Sequence, residues 1–497
     1  MHPGARCYRP SIGNEPTAAR TVSSDVPLRS GAGNPGPVAA PLRRRHRHST
    51  PLILAALGNA TITFTTIRAG QVLLSDAFFL LASSVILVKM LTGHTSDLAP
   101  AASRRGSPLI LAGTLLLVTG GTLSSLRSWE PVESMNVVLR FAWITLVWFW
   151  IMRTVCRDRD DLKVLIRSWK ISALISSVFA ILGLMGIAFV SNVNGDRQTA
   201  LSGHPNHLGA HLAATFALFL LAVPRTSEVL SRREKIWWTV SLGLCTTAIF
   251  STGSMTSLLA SGAASLVVGV TYVARRSPLA DRRRGARSPL APLAVVLFLG
   301  VGLAMLATSD LPVIDRITRY REGDSYVVDS VDSRGERNAL VTGRFDDFLV
   351  VGLGLISYQG APSDTASQDD DSARNYGVHN MHLGLLYQAG LPATIGVILV
   401  LVTAARQLAA LLGRVDSELY TITLALLGSF VAVNVMSLFQ PISFDRFFWM
   451  PVALTGCLWS VRRRELQLAA VARDAVEPVP PGPRRALPAG PIATGDW

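Results

Sequence analysis

The sequence predicts an all-α integral membrane protein of about 12 transmembrane helices with one large extracytoplasmic loop. Three observations lead there. Charged residues make up only 16% of the 497 residues against 49% hydrophobic, and mean hydropathy is +0.37. A soluble domain is about 25% charged. Apolar runs of about 17–22 residues recur, the length that crosses a bilayer as a helix. In hydrocarbon every backbone polar group must be satisfied within the segment, so such runs are helical. Finally, the connectors between runs alternate between basic and nearly charge-free.

Residues 1–48 are rich in Pro, Gly, Ser and Arg and lack apolar periodicity, which predicts a disordered tail. It ends in Arg43-Arg-Arg-His-Arg47, directly before the first apolar run. The tail is too long for a signal peptide, and no small-residue cleavage site follows, so it reads as a cytoplasmic anchor. Twelve apolar runs come next, at 51–67, 71–91, 108–126, 135–153, 171–190, 207–224, 236–251, 254–274, 289–308, 379–404, 416–438 and 443–461. The seventh and eighth are separated only by Ser251-Thr-Gly-Ser254, which leaves open a single hairpin dipping through the membrane. The segments are therefore a tail at 1–48, helices at 49–308, a loop at 309–378, helices at 379–461 and a second tail at 462–497.

Net charge is +14, and its distribution decides what it means. Arg104-Arg105, the stretch from Arg153 to Lys170, Arg232-Arg233, Arg275-Arg276, Arg406 with Arg414, and Arg462-Arg-Arg464 all fall in alternate connectors. The intervening connectors hold little beyond Arg68, Arg127, Arg197 and Arg446. This is the positive-inside pattern; it predicts a cytoplasmic-membrane protein with both termini cytoplasmic and the loop from Leu311 to Val378 outside. No nucleic-acid-binding motif accompanies the charge, so no nucleic-acid partner is expected. The cysteines, Cys7, Cys156, Cys245 and Cys457, avoid the long loop, so neither a structural disulfide nor a cysteine metal site is expected. His204, His207 and His211 are spaced to approach one helix face, yet no Cys or carboxylate set joins them, so no metal and no cofactor are expected.

The chemistry-bearing residues cluster at the predicted outer side. Arg197 precedes His204-Pro-Asn-His207, where Pro205 suits a helix start and Asn206 a cap. Arg197 reads either as an interfacial arginine that snorkels or as a binder of phosphate or carboxylate. Arg140 sits inside the fourth run near its outer end; it needs a partner such as Asp76 or a wet cavity. In the long loop, Arg334, Arg337 and Arg344 lie among a few acids, and residues 338–351 have the spacing of an amphipathic surface helix. His379-Asn380 stands where the chain re-enters the membrane; a helix start favours uncharged imidazole, which suits a general base.

Three pieces together resemble the O-antigen ligase and O-antigen polymerase superfamily of bacterial envelope glycosyltransferases. One is Arg197 with Asn206 in His204-Pro-Asn-His-Leu-Gly209; another is Ser333-Arg334 followed by Gly352-Leu-Gly354 and Tyr358. The last is His379-Asn-Met-His-Leu383 leading to Gln388-Ala-Gly-Leu391. The likeness spans residues 50–460. It implies a GT-C-type helical fold and a metal-independent, inverting glycosyltransferase. Its substrate would be a glycan on a polyprenyl pyrophosphate such as undecaprenyl pyrophosphate, and its acceptor a glycan or lipid hydroxyl. Carried over, His379 is the catalytic base, Arg197 and Arg334 hold the pyrophosphate with Arg140 assisting, and Asn206 and Asn380 bind substrate. Two departures stand out: Ser254-Met255-Thr256 replaces the family's Ser-Arg-Gly, and Gln388 replaces an acid before Gly390. The resemblance leaves ligase and repeat-unit polymerase open, as well as a non-catalytic scaffold. A polytopic transporter or lipid flippase is the reading from a different class, but no inverted repeat in hydropathy accompanies it.

Overall fold

A computed structural model describes residues 48–65, 67–69, 72–104, 106–128, 130–187, 193–194, 197–220, 232–274, 318–319, 321–322, 338–339, 341–343, 345–355, 378–413 and 415–476. Helices dominate. They are α1 (Thr50–Ala60), α2 (Leu74–Leu91), α3 (Pro108–Ser125), α4 (Pro131–Val155), α5 (Arg159–Leu184), α6 (Pro205–Leu220), α7 (Arg232–Ser251) and α8 (Met255–Ala274). After the long loop come α9 (Phe345–Phe348), α10 (Met381–Leu412), α11 (Ser417–Ser437) and α12 (Arg446–Val476). Two antiparallel ladders of two residues per strand, Arg68–Ala69 with Val72–Leu73 and Val193–Asn194 with Arg197–Gln198, close the turns before α2 and before α6. Each expected apolar run overlaps one of these helices except 289–308, which lies outside the described residues; α1 ends at Ala60, short of the expected 67, and α12 continues to Val476, so residues 462–476 are helix where a disordered tail was expected.

Seven helices are long and apolar enough to cross a membrane: α2 to α5, α8, α10 and α11. Their outward faces are apolar too, with Leu87, Val88 and Leu91 on α2 and Leu266 and Val270 on α8 all more than half exposed. A helix that is apolar all round belongs in a core or in lipid, and these exposed faces leave lipid as the solvent they match. The chain is a helical membrane protein.

Helix starts follow the local chemistry. Pro sits at the first positions of α1, α3 and α4, where no N–H is needed. Asp158 and Asp416 cap α5 and α11 by accepting two backbone N–H bonds each. The cap at Asp158 draws α5 back to Arg159, so the basic stretch read as a connector forms the first turns of that helix. Inside α4, Trp143–Trp148 is wound as π-helix, which re-aims the faces on either side. The seventh and eighth runs form two separate helices around a turn at Thr252–Ser254, with Gly253 at φ +60°. They diverge from that turn: α7 packs on α5 and α6, and α8 on α6 and α11.

Among the described residues, α3 and α10 make the most extensive helix–helix contact. A Cβ on Gly396 would fall 2.3 Å from the Gly113 carbonyl oxygen, and one on Gly120 would fall 2.7 Å from the Ala393 nitrogen. Only small residues let two membrane helices meet at backbone distance. The buried core includes the stacked Phe79 and Trp148 rings, 4.0 Å apart between centroids, and the buried Trp169 and Trp449.

Replacing Gly396 by Val is expected to lower stability by about 1–3 kcal/mol through overpacking. Gly243→Ala, at a helical site with nothing within 4 Å of its added Cβ, serves as the control. It should hold or raise the thermal unfolding midpoint in detergent, by about 0.5–1 kcal/mol of stability.

Candidate functional site

The structure joins two of the sequence motifs at a break in α10, and it joins Arg197 with Asn206 before α6. Helix α10 is not one rod. Gly390 adopts φ +75° inside it, and Pro392 follows. A proline at 392 has no N–H for the Gln388 carbonyl, and the kink parts the N–H of Leu391 from Tyr387. The segment after α9 supplies what is lost. Leu353 donates its N–H to the Tyr387 carbonyl at 3.0 Å, Gly354 donates to Gln388 at 2.9 Å, and Leu391 donates to the Leu349 carbonyl at 2.9 Å. The approach demands glycine: a Cβ on Gly352 would lie 2.2 Å from the Gln388 oxygen, and Gly354 sits at φ +107° against Ser128. Thus Gly352-Leu-Gly354 and Gln388-Ala-Gly390, far apart in sequence, form one clasp.

The clasp is held from the α3–α4 side as well. Arg127 donates to the Val351 carbonyl at 2.8 Å, and Leu355 donates its N–H to the Ser134 hydroxyl at 2.9 Å. Phe348 is fully buried and meets the Tyr387 ring edge-on at 5.0 Å. The surface helix expected over 338–351 is therefore shorter in its described part. It has a turn closed by Gly343 on Ala339, then α9, whose Phe348 is drawn inward rather than left on a surface.

At the start of α10, His379 is half-buried and Asn380 is the cap. The Asn380 Oδ1 accepts the N–H groups of His382 and Leu383, each at 3.0 Å. His382, one turn on, places Nε2 3.3 Å from the Ser437 hydroxyl at the end of α11. Sequence reading passed over His382; its signal was its place in the first turn of the helix at which the chain re-enters the apolar region.

Arg197 and Asn206 are brought together. The Arg197 guanidinium donates to Asn206 Oδ1 at 2.6 Å and to the Thr252 carbonyl at 2.9 Å. The second bond puts an arginine at the α7–α8 turn, close to Met255. The turn before α6 is tightly shaped: Ala200 has φ +45° and Gly203 φ +71°. Thr65 pins it by donating its hydroxyl to the Ser202 carbonyl at 2.7 Å. A non-glycine residue at positive φ costs about 1–3 kcal/mol and persists only where its surroundings hold it.

The three histidines take separate roles. His204 Nδ1 accepts the Asn206 N–H at 3.2 Å, and His207 Nδ1 lies 3.3 Å from Asp445. His211 is fully buried, packed on Phe447 and Trp169. Among the described residues, no three His, Cys, Asp or Glu side chains gather as metal ligands.

Arg140 lies on an exposed face of α4. Its expected partner, Asp76, is engaged elsewhere. Arg446 makes a two-pronged pair with the Asp76 carboxylate, its Nε at 2.9 Å from Oδ1, and Trp143 donates to the same oxygen at 3.2 Å. Asp76 also accepts the Leu73 N–H at the start of α2. Both ionised side chains are about nine-tenths buried. Sequence placed both on the outer side, but their separation along the chain hid the pairing. Arg334, Arg337 and Arg344 lie outside the described residues.

Asp76→Asn should destabilise the protein by about 3–5 kcal/mol, because it strands the Arg446 charge in a buried site. An apolar double replacement, Asp76→Leu with Arg446→Met, should recover most of the loss in the same thermal unfolding assay. Compared with known proteins, no family model matches the chain and no curated protein matches it.

Proposed function

We propose that the protein is a membrane glycosyltransferase of the O-antigen ligase type. It would move a glycan from a polyprenyl-pyrophosphate carrier to an acceptor hydroxyl at the outer face of the cytoplasmic membrane. The observation that carries this reading is the clasp: two of the motif pieces that suggested the family meet across the break in α10, on the helix that starts at His379. The Arg197–Asn206 bond adds a second internal agreement between motif and geometry.

In this reading His379 takes the proton of the acceptor hydroxyl as its oxygen attacks the anomeric carbon. The bond from that carbon to the pyrophosphate oxygen breaks in the same displacement, which inverts the centre. The departing pyrophosphate is anionic and needs fixed cations; Arg197 and Arg334 hold it, with Arg140 assisting. Asn206 acts through Arg197, whose guanidinium it orients. Asn380 has its carbonyl oxygen committed to the cap, and its Nδ2 makes no hydrogen bond among the described residues, so that amide is the end that meets substrate. A repeat-unit polymerase would use the same groups, with a lipid-linked glycan as acceptor.

A transporter or flippase is favoured by one observation: Lys170 and His211 lie within the helices, well away from the ends. Such residues mark ion or substrate paths in transporters. The two classes part on His379. His379→Ala and Arg334→Ala should each abolish glycan transfer while membrane insertion persists; transport that survives in His379→Ala would reverse the assignment. In cells lacking the protein, full-length polymer stranded on the carrier is expected. Single repeat units on the carrier would indicate the polymerase, and an unchanged lipid-linked profile would overturn glycan transfer.

A further inference from the structure

At the other end of the bundle lies a cavity of about 330 Å³ between the N-terminus of α3, the C-terminal parts of α4 and α10 and the middle of α12. Arg463, on its rim, is roughly 25 Å along α12 from Arg446, at 1.5 Å rise per residue. Four arginines line it, Arg153, Arg406, Arg463 and Arg464, and no carboxylate among the described residues does.

Arg153 is the centre of the arrangement. It is only 6% exposed, its Nε has no hydrogen-bond partner, and it makes no ion pair among the described residues. Two glycines make the space for its guanidinium. A Cβ at Gly106 would fall 2.0 Å from Nη1, and one at Gly456 would fall 2.6 Å from Nη2. A guanidinium buried without a counter-charge is unfavourable by several kcal/mol. The nearest acid on α12, Glu465, does not relieve it: Glu465 accepts from Arg159, at 2.9 Å in one of two bonds, and from Arg462 at 3.4 Å. Arg159 also reaches Asp416 at 2.6 Å, and Lys163 reaches Glu418 at 2.5 Å, so those carboxylates are occupied as well.

We propose that this cavity binds a phosphate group. Guanidinium forks match phosphate oxygens in pairs, and several arginines around one cavity, the deepest of them without a counter-charge among the described residues, favour a multiply charged anion. The cavity is wide enough for a headgroup or a pyrophosphate. Exposed Arg406 and Arg463 stand at its mouth, and Trp459 in its wall is the residue type that marks a membrane interface. Basic pockets between membrane helices take anionic lipid headgroups, so the phosphate comes either from a phospholipid of the adjoining leaflet or from free anion.

The full-length protein in neutral detergent decides between the sources. Phosphatidylglycerol in mixed micelles and sodium pyrophosphate are titrated separately, with phosphatidylcholine as reference. Binding is read by native mass spectrometry and by the thermal unfolding midpoint. The expected result is that at least one anionic probe binds the wild type, and that Arg153→Gln and Arg463→Gln each weaken it about tenfold. Binding of the lipid alone assigns the site to a headgroup; saturation by pyrophosphate alone assigns it to a free anion. Arg463 is exposed, so its variant keeps the test valid where Arg153→Gln unfolds. Arg233→Gln, exposed at the start of α7 and outside the cavity, should bind as wild type. Equal binding by phosphatidylcholine, or equal losses in Arg233→Gln and Arg463→Gln, would overturn the proposal.

Discussion

The structure at the motif end depends on one constraint: α10 breaks at Gly390, and the backbone groups freed by the break must find partners. Within an apolar surround, an unpaired carbonyl or N–H is strongly unfavourable. The segment 349–354 answers with three backbone hydrogen bonds, and it fits only because residues 352, 354 and 390 are glycines. From this follows the position of the chain on either side. The clasp ties the loop to α3 and α4 through Arg127 and Ser134, and it sets the direction in which α10 leaves toward His379. The first part of α10 is thereby held by backbone bonds as well as by side-chain packing.

The two ends of the bundle use charge differently. At the motif end the described charges are largely matched: Asp76 with Arg446, His207 with Asp445, Arg197 with an amide and a carbonyl. Matching fixes geometry, which a positioning site needs. At the other end, one group of charges is equally matched, where Arg159 and Lys163 meet Asp416, Glu418 and Glu465 and tie α5, α11 and α12. These side chains are about a quarter to under a half exposed, so each pair contributes little alone and the network mainly sets register. Beside it, Arg153 breaks the rule, buried between glycines with no ion pair among the described residues. The contrast within one end is what singles out the cavity.

Small residues recur wherever the chain must pass close to itself. Gly113, Gly120 and Gly396 bring α3 and α10 to backbone contact, Gly209 lies against Ser257 at the α6–α8 crossing, and Gly428 lies against Ala217 where α11 meets α6. Without a hydrophobic drive between helices in lipid, such close packing is a main source of association. Where the helices face outward instead, Leu, Val and Ile fill the surface.

The amino-acid sequence by itself determined the helical, membrane-type class and the approximate place of the long apolar helices, though not where α1, α5 and α12 begin or end. Run length and the exclusion of charge from those runs are local properties, and the bilayer reads them locally. It also marked Arg197, Asn206, His379 and Asn380, because proline, histidine and asparagine at a helix start carry their chemistry on their own residues. Only the tertiary structure decided which groups meet. That Asp76 pairs with Arg446 and not Arg140, that Arg197 reaches the turn before Met255, and that Gly352 closes on Gln388 all depend on contacts between distant segments. Such contacts are set by how helix faces pack and where a break frees a carbonyl, and neither leaves a spacing in the chain. The basic connectors likewise read as topology alone; the fold turned four of their arginines toward one cavity because Gly106 and Gly456 left room for the deepest of them.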